Sequence, residues 1–192
     1  MKKTLLTIML AAAPAGLLAQ AQPQDQSPQK GAQARIDAAI HAAAEAKIPT
    51  SLLTNKVAEG EAKHVPADRI ATAVEAKLRA LVRASAALER AEVKHESASE
   101  LAVAADALEA GVSEQVLVRL TKSAPEERRV VAVAVLADLV RLGKASDVAF
   151  AQVNAAVGTS AALANLNAQV ATQLRRGGMT STLDAAGGAR IP

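Results

Sequence analysis

One residue in four is alanine, 48 of 192, so this chain is restricted to folds that methyl-sized side chains can hold together. Alanine has the most favourable intrinsic helix propensity of any residue, and helices lined with it approach one another closely. Each alanine buries little area, so larger residues must supply most of the core. Leucine, isoleucine, valine and phenylalanine together number 46, or 24%, above the fifth or so below which chains are usually disordered. The arithmetic predicts a folded but thin core built from helices. Other options close at once. No cysteine is present, which excludes disulfides, thiolate metal sites and thiol nucleophiles. With no tryptophan or tyrosine and the single Phe150, stacking platforms for bases and aromatic cages for cations are excluded too.

Residues 1–21 have the layout of an export signal. Lys2 and Lys3 form a basic start, Leu5, Leu6, Ile8, Met9 and Leu10 an apolar run, and Ala19-Gln20-Ala21 a small-residue cleavage site. Pro14 and Gly16 interrupt the run, which falls short of the roughly 20 apolar residues a bilayer-spanning helix needs. The expectation is a periplasmic or secreted protein with no stable membrane span once the signal is removed. Its removal takes two lysines and lowers the formal net charge from +3 to +1. Nucleic acid is therefore not an expected partner, because a near-neutral chain has no electrostatic footprint for a phosphate backbone.

Residues 22–33 hold two prolines and a glycine with no apolar period and read as a flexible leader; residues 177–192 read as a mobile tail. Between them, residues 34–176 form one expected α-helical domain. Helical periodicity places eight helices at about 34–47, 50–64, 67–92, 96–110, 113–122, 125–142, 146–157 and 160–176. In 67–92, Ile70, Val74, Leu78, Leu81, Val82 and Leu88 form the apolar stripe, with Glu75, Arg79 and Arg83 opposite. Pro66 suits its first helical position, and Gly111 and Gly143 suit helix ends. The unbroken apolar run Val130–Ala137 could alone form a buried strand. Its entrance at Pro125-Glu126-Glu127 and the absence of a strand partner assign it to a central helix buried all round. Short connections make neighbouring helices antiparallel.

The fold class is therefore all-α, either an antiparallel helical bundle or a short degenerate helix-hairpin array. Faint recurrences favour neither outright. Pro66-Ala67-Asp68-Arg69 is echoed by Pro125-Glu126-Glu127-Arg128, and Ser113-Glu114 recurs 33 residues on as Ser146-Asp147.

The candidate site is a charged ridge, Lys56, Glu59 and Lys63, at i, i+3 and i+7 on one helix, with Leu53, Val57 and Gly60 turned inward. It is a surface for an anionic ligand or a partner, or simply a solvated face. Gly60 costs roughly 1 kcal/mol relative to alanine inside a helix, which points to a close approach or a bend. Residues 48–70, with Ile48-Pro49-Thr50-Ser51-Leu52-Leu53 and Val65-Pro66, resemble stretches of uncharacterised exported alanine-rich bacterial proteins, a resemblance that implies no activity.

Glu92, His95 and Glu96 cluster at a helix junction and suit a divalent ion, although the residue types equally suit a polar turn. His41, His64 and His95 never stand at a helix-borne metal spacing, and neither a nucleophile elbow nor a phosphate loop is present. No cofactor and no catalysis are expected. The leading expectation is an exported helical protein acting by contact with an unknown protein partner or with itself, as a scaffold, adaptor or chaperone-like factor. The alternative is a periplasmic binder of a small molecule or metal.

Overall fold

The computed structural model describes residues 28–93 and 97–186, and the side chains of 29–93 and 97–176. The expected export signal lies outside the described residues. Among those residues the chain is all-α: α1 (Pro28–Glu45), α2 (Ser51–Ala62), α3 (Ala67–Arg90), α4 (Ala98–Glu109), α5 (Glu114–Ser123), α6 (Glu126–Arg141), α7 (Ser146–Ala156) and α8 (Ser160–Ala186). The helices start and stop close to where the periodicity placed them, with two exceptions. The last residues of the expected leader belong to α1, which starts at Pro28 and buries Ala32 beside Ile36, Ala39 and Ala43. The buried period thus runs one turn earlier than the larger apolar residues show. At the other end the α8 backbone continues past Gly177 to Ala186, through residues expected as tail.

Five helix ends close in the same way. At each, the residue after the C-cap has positive φ: Lys47, His64, Glu92, Gly111 and Gly143. The amide of the following residue reaches back to the last turn, as in Ile48 N to Ala43 O at 2.9 Å, Val65 N to Gly60 O at 2.9 Å and Val112 N to Ala107 O at 3.0 Å. These are Schellman closures, which satisfy carbonyls that would otherwise lack partners. Where the next residue is Ile48 or Val112, it drops into the core. Two other helix starts use proline: Pro66 and Pro125 are N-caps with nearly identical backbone angles, φ −54 and −56. Proline therefore sits one position earlier than the expected first helical residue.

The helices pack in a row in which α1 lies on α3, α3 on α4, α4 on α6 and α6 on α8. Three short helices lie against this row: α2 on α3, α5 across α3, α4 and α6, and α7 on α6 and α8. From α4 onward, row and flanking helices alternate along the chain, as they do over α1, α2 and α3. The alternation fails once, where α3 passes directly to α4. The bundle is thus two stretches of helix-hairpin packing joined without a flanking helix, and the row-to-flank turns at Lys47, Gly111 and Gly143 are equivalent.

The row is continuous and mostly small. Ala71, Ala84, Ala87, Ala104, Ala105 and Ala132 are buried alongside Leu81, Leu117, Leu120 and Leu136. Helix α6 is central, in contact with four others. It is not buried all round: Val133, Val135 and Leu136 are inside, while Val131 is 41% exposed. Likewise Val82, expected in the buried stripe of α3, is 45% exposed. Both sit where no helix among the described residues covers that side, and at Val131 the run of valines gave no sign of it.

Ion pairs cross between helices. Arg35 of α1 binds Glu75 of α3 at 2.8 Å, Arg83 and Arg90 of α3 both bind Glu114 of α5 at 2.8 Å, and Arg119 of α5 pairs with Asp147 of α7. The guanidinium of Arg119 also lies 4.6 Å from the centroid of the Phe150 ring. Glu75 therefore serves the α1–α3 contact and does not pair with Arg79 along its own helix.

Candidate functional site

The charged ridge forms as the spacing requires. Lys56 Nζ lies 3.0 Å from one oxygen of Glu59, and Lys63 Nζ donates to the other. Leu53 is buried beneath, and Val57 packs partly on the core. Two ammonium groups on one carboxylate hold Glu59 far below the usual carboxylate range, at about 2, chiefly through the hydrogen bond from Lys63. This trio leaves one positive charge unbalanced.

Gly60 explains the inward side of the ridge. A Cβ there would meet Ile70 Cγ1 at 2.7 Å, so the glycine is the seat of an α3 side chain and not a bend. Ile70 thereby draws the end of α2 against the start of α3. The turn between them, closed at His64 and capped by Pro66, brings Arg69 into reach of the ridge.

The ridge is one wall of a groove that runs along α3 between α2 and α4. Near the start of α3, a stretch of about 230 Å³ is lined by Lys56, Glu59, Gly60, Lys63, Arg69 and Ile70. Farther along, about 360 Å³ is bounded by Asn55, Lys56 and Glu59 on α2, Ala73 and Lys77 on α3, and Ala102, Asp106 and Glu109 on α4. Both stretches share Lys56, Glu59 and Ala73, so they adjoin along α3. Lys77, whose side chain is only 13% exposed, pairs with Asp106 and lies 3.4 Å from Glu109. Arg69 is exposed, and its side chain makes no hydrogen bond or ion pair among the described residues.

Lys77, Asp106, Glu109 and Arg69 escaped the sequence reading. The first three come from two helices, about thirty positions apart, and no local spacing reports that. A signal for Arg69 did exist in its match to Arg128 in the recurring Pro-x-acid-Arg entrance.

Elsewhere, Glu100 caps α4 together with Ser97 and binds Arg129 of α6 at 2.8 Å while almost wholly buried. Thr121 Oγ1 and Arg129 Nε beside it have no partner among the described residues and border a void of about 10 Å³, the size of one water molecule. This is a brace between α4 and α6. Of the metal candidates, Glu92 is exposed at a helix end near Lys122, while His95 and Glu96 lie outside the described residues. Among the described residues, no three acids or histidines converge in a metal-holding group, and no helix is long and apolar enough to cross a membrane.

In comparisons with known proteins, no family model, no curated protein and no solved structure matches the chain.

Proposed function

We propose that this chain is an exported, non-catalytic helical protein that acts through protein contact, as a scaffold, adaptor or chaperone-like factor. The observation that carries the reading lies at the open end of the row. From Val148 to Leu174, 27 residues pass without one charged side chain. Helix α8 packs on α6 and α7 only on one side, through Leu163 and Val170. Its other side leaves Ala161, Ala164, Asn165, Ala168 and Gln169 exposed, and Val148 of α7 is 53% exposed nearby in sequence. Depletion of charge is the compositional mark of an interface core, because burying an ion costs more than burying an amide or a methyl group.

The test is light-scattering mass of the mature chain, combined with capture from a periplasmic extract. The expected result is a mass above the monomer or a recovered partner, lost in Ala168→Glu. A strict monomer that recovers nothing overturns the reading. A second reading, a binder of small anions, is favoured by Lys56 and Lys63 sharing one carboxylate. A rise in thermal midpoint with an anion panel supports it through mass action, and no rise across the panel retires it.

A further inference from the structure

We infer that the groove between α2 and α4 is a docking site for one short helix of a partner protein, lying antiparallel to α3 with its C-terminus at Arg69. This rests on the protein-contact reading and adds the place, the kind of partner segment and its direction.

The first argument comes from the fold's own repetition. The entrances Pro66–Arg69 and Pro125–Arg128 share their proline N-caps and backbone angles. In the second, Arg128 Nη1 donates at 2.7 Å to the carbonyl of Val157. Val157 is the C-cap of α7, the flanking helix that follows α6 in the chain. An arginine in this entrance thus closes the C-terminus of the next flanking helix. The chain passes from α3 directly to α4 with no flanking helix between, so Arg69 carries the same donor set and, among the described residues, has no carbonyl to receive it.

The second argument is electrostatic and independent of the first. A helix has a partial negative charge at its C-terminus and a partial positive charge at its N-terminus. Around Arg69 the groove is lined by Lys56, Lys63 and Arg69 against Glu59, an excess of two positive charges; farther along it is lined by Lys56 and Lys77 against Glu59, Asp106 and Glu109, an excess of one negative charge. The groove is therefore positive where a docked C-terminus would lie and negative where its N-terminus would lie. Both arguments give the same direction.

Size agrees as well. Arg69 and Lys77 are eight residues apart on α3, about 12 Å at 1.5 Å per residue. About two turns fill this span, slightly less than the flanking helices α2, α5 and α7, which have 12, 10 and 11 residues. The floor, Ala73 and Ala102, is small and admits close helix approach.

The probe is a lactam-stapled peptide of residues 145–157, the chain's own α7 with its C-cap, titrated by fluorescence anisotropy against the mature protein. Saturable binding is expected, weakened at least five-fold by Arg69→Glu and by Ala102→Arg. It should be tightened by a free C-terminal carboxylate relative to the amide, and unchanged by Arg79→Ala. Circular dichroism and melting of each variant confirm that the groove is folded. No binding by the wild type up to millimolar peptide overturns the inference, as does binding indifferent to both groove substitutions. A midpoint raised by phosphate or succinate through Lys63 and Arg69, without peptide binding, overturns it in favour of a small-anion site. Self-association or partner capture that persists and still responds to Ala168→Glu shows that the groove inference has failed while the protein-contact reading stands.

Discussion

The guanidinium of Arg35 in α1 grips the carboxylate of Glu75 in α3 with two hydrogen bonds of 2.8 Å, from Nε and Nη2 to the two oxygens. The pair spans 40 positions of sequence and is the only ion pair between α1 and α3 among the described residues. Its bidentate geometry specifies direction as well as attraction. Because both side chains are partly solvated, the pair fixes the register of α1 more than it holds α1 down. Arg35→Ala is expected to shift the melting midpoint little, yet to speed amide exchange in α1 ahead of α3. Uniform exchange rates in the two helices would contradict this.

Helix closure gives a sharper test. Lys47 and His64 occupy left-handed backbone, φ 57 and 53, a region that costs a side-chain-bearing residue roughly 1 kcal/mol or more. Lys47→Gly and His64→Gly should each stabilise the chain by about 0.5–1 kcal/mol. Gly143→Ala should cost a similar amount although a Cβ there meets nothing within 4 Å, since the penalty is in the backbone. Urea titration measures all three, and the opposite signs are the signature.

Those closures also show how far the sequence could be read. Gly111 and Gly143 announced helix ends, and they are equivalent in structure to Lys47, which announced nothing because it pays strain for the same conformation. Periodicity located the helices, since alanine favours helix wherever it stands and proline and glycine interrupt it. It could not tell that Val131 faces outward while Val133 faces inward, because a run of valines has no period. In the groove, Lys56, Glu59 and Lys63 were legible as neighbours on one helix. Lys77 with Asp106 was not, since that contact depends on how α3 and α4 pack, and two short segments of sequence do not encode their relative placement.

Acid should loosen contacts between helices before it melts them. Hydrogen bonds from Arg90 and Arg83 hold the Glu114 carboxyl below its ordinary value of 4.5, and Arg35 does the same for Glu75. Glu59 is lowered to about 2 by Lys63 and Lys56. A carboxyl whose folded pKa is depressed contributes its full stabilisation above the unfolded value and loses it as pH falls through the folded one. Stability should therefore be flat above about pH 5 and decline from about 4.5 toward 2. Glu114→Gln should flatten the upper part of that decline, as melts at stepped pH would reveal. A steady decline beginning near pH 7 would place the cause in another group.

Substitutions on α6 separate its uncovered first turns from its buried middle. Val135 is fully buried and Val131 is 41% exposed, four residues apart on one helix. An aspartate at 135 would leave an ion without a partner in the interior, at a cost of several kcal/mol, enough to consume most of a typical domain's 5–15 kcal/mol. Val135→Asp should abolish cooperative melting, while Val131→Asp should stay within about 1 kcal/mol of the parent. Leu136→Ala should fall between them at about 2–5 kcal/mol, because Leu136 is fully buried and a methyl cannot fill the space that its side chain would leave in the core. Arg79→Ala, exposed on α3 and bonded to nothing among the described residues, should be nearly silent. Equal losses at 131 and 135 would mean that the first turns of α6 are covered as its middle is, and the packing of the helices around that end would have to change.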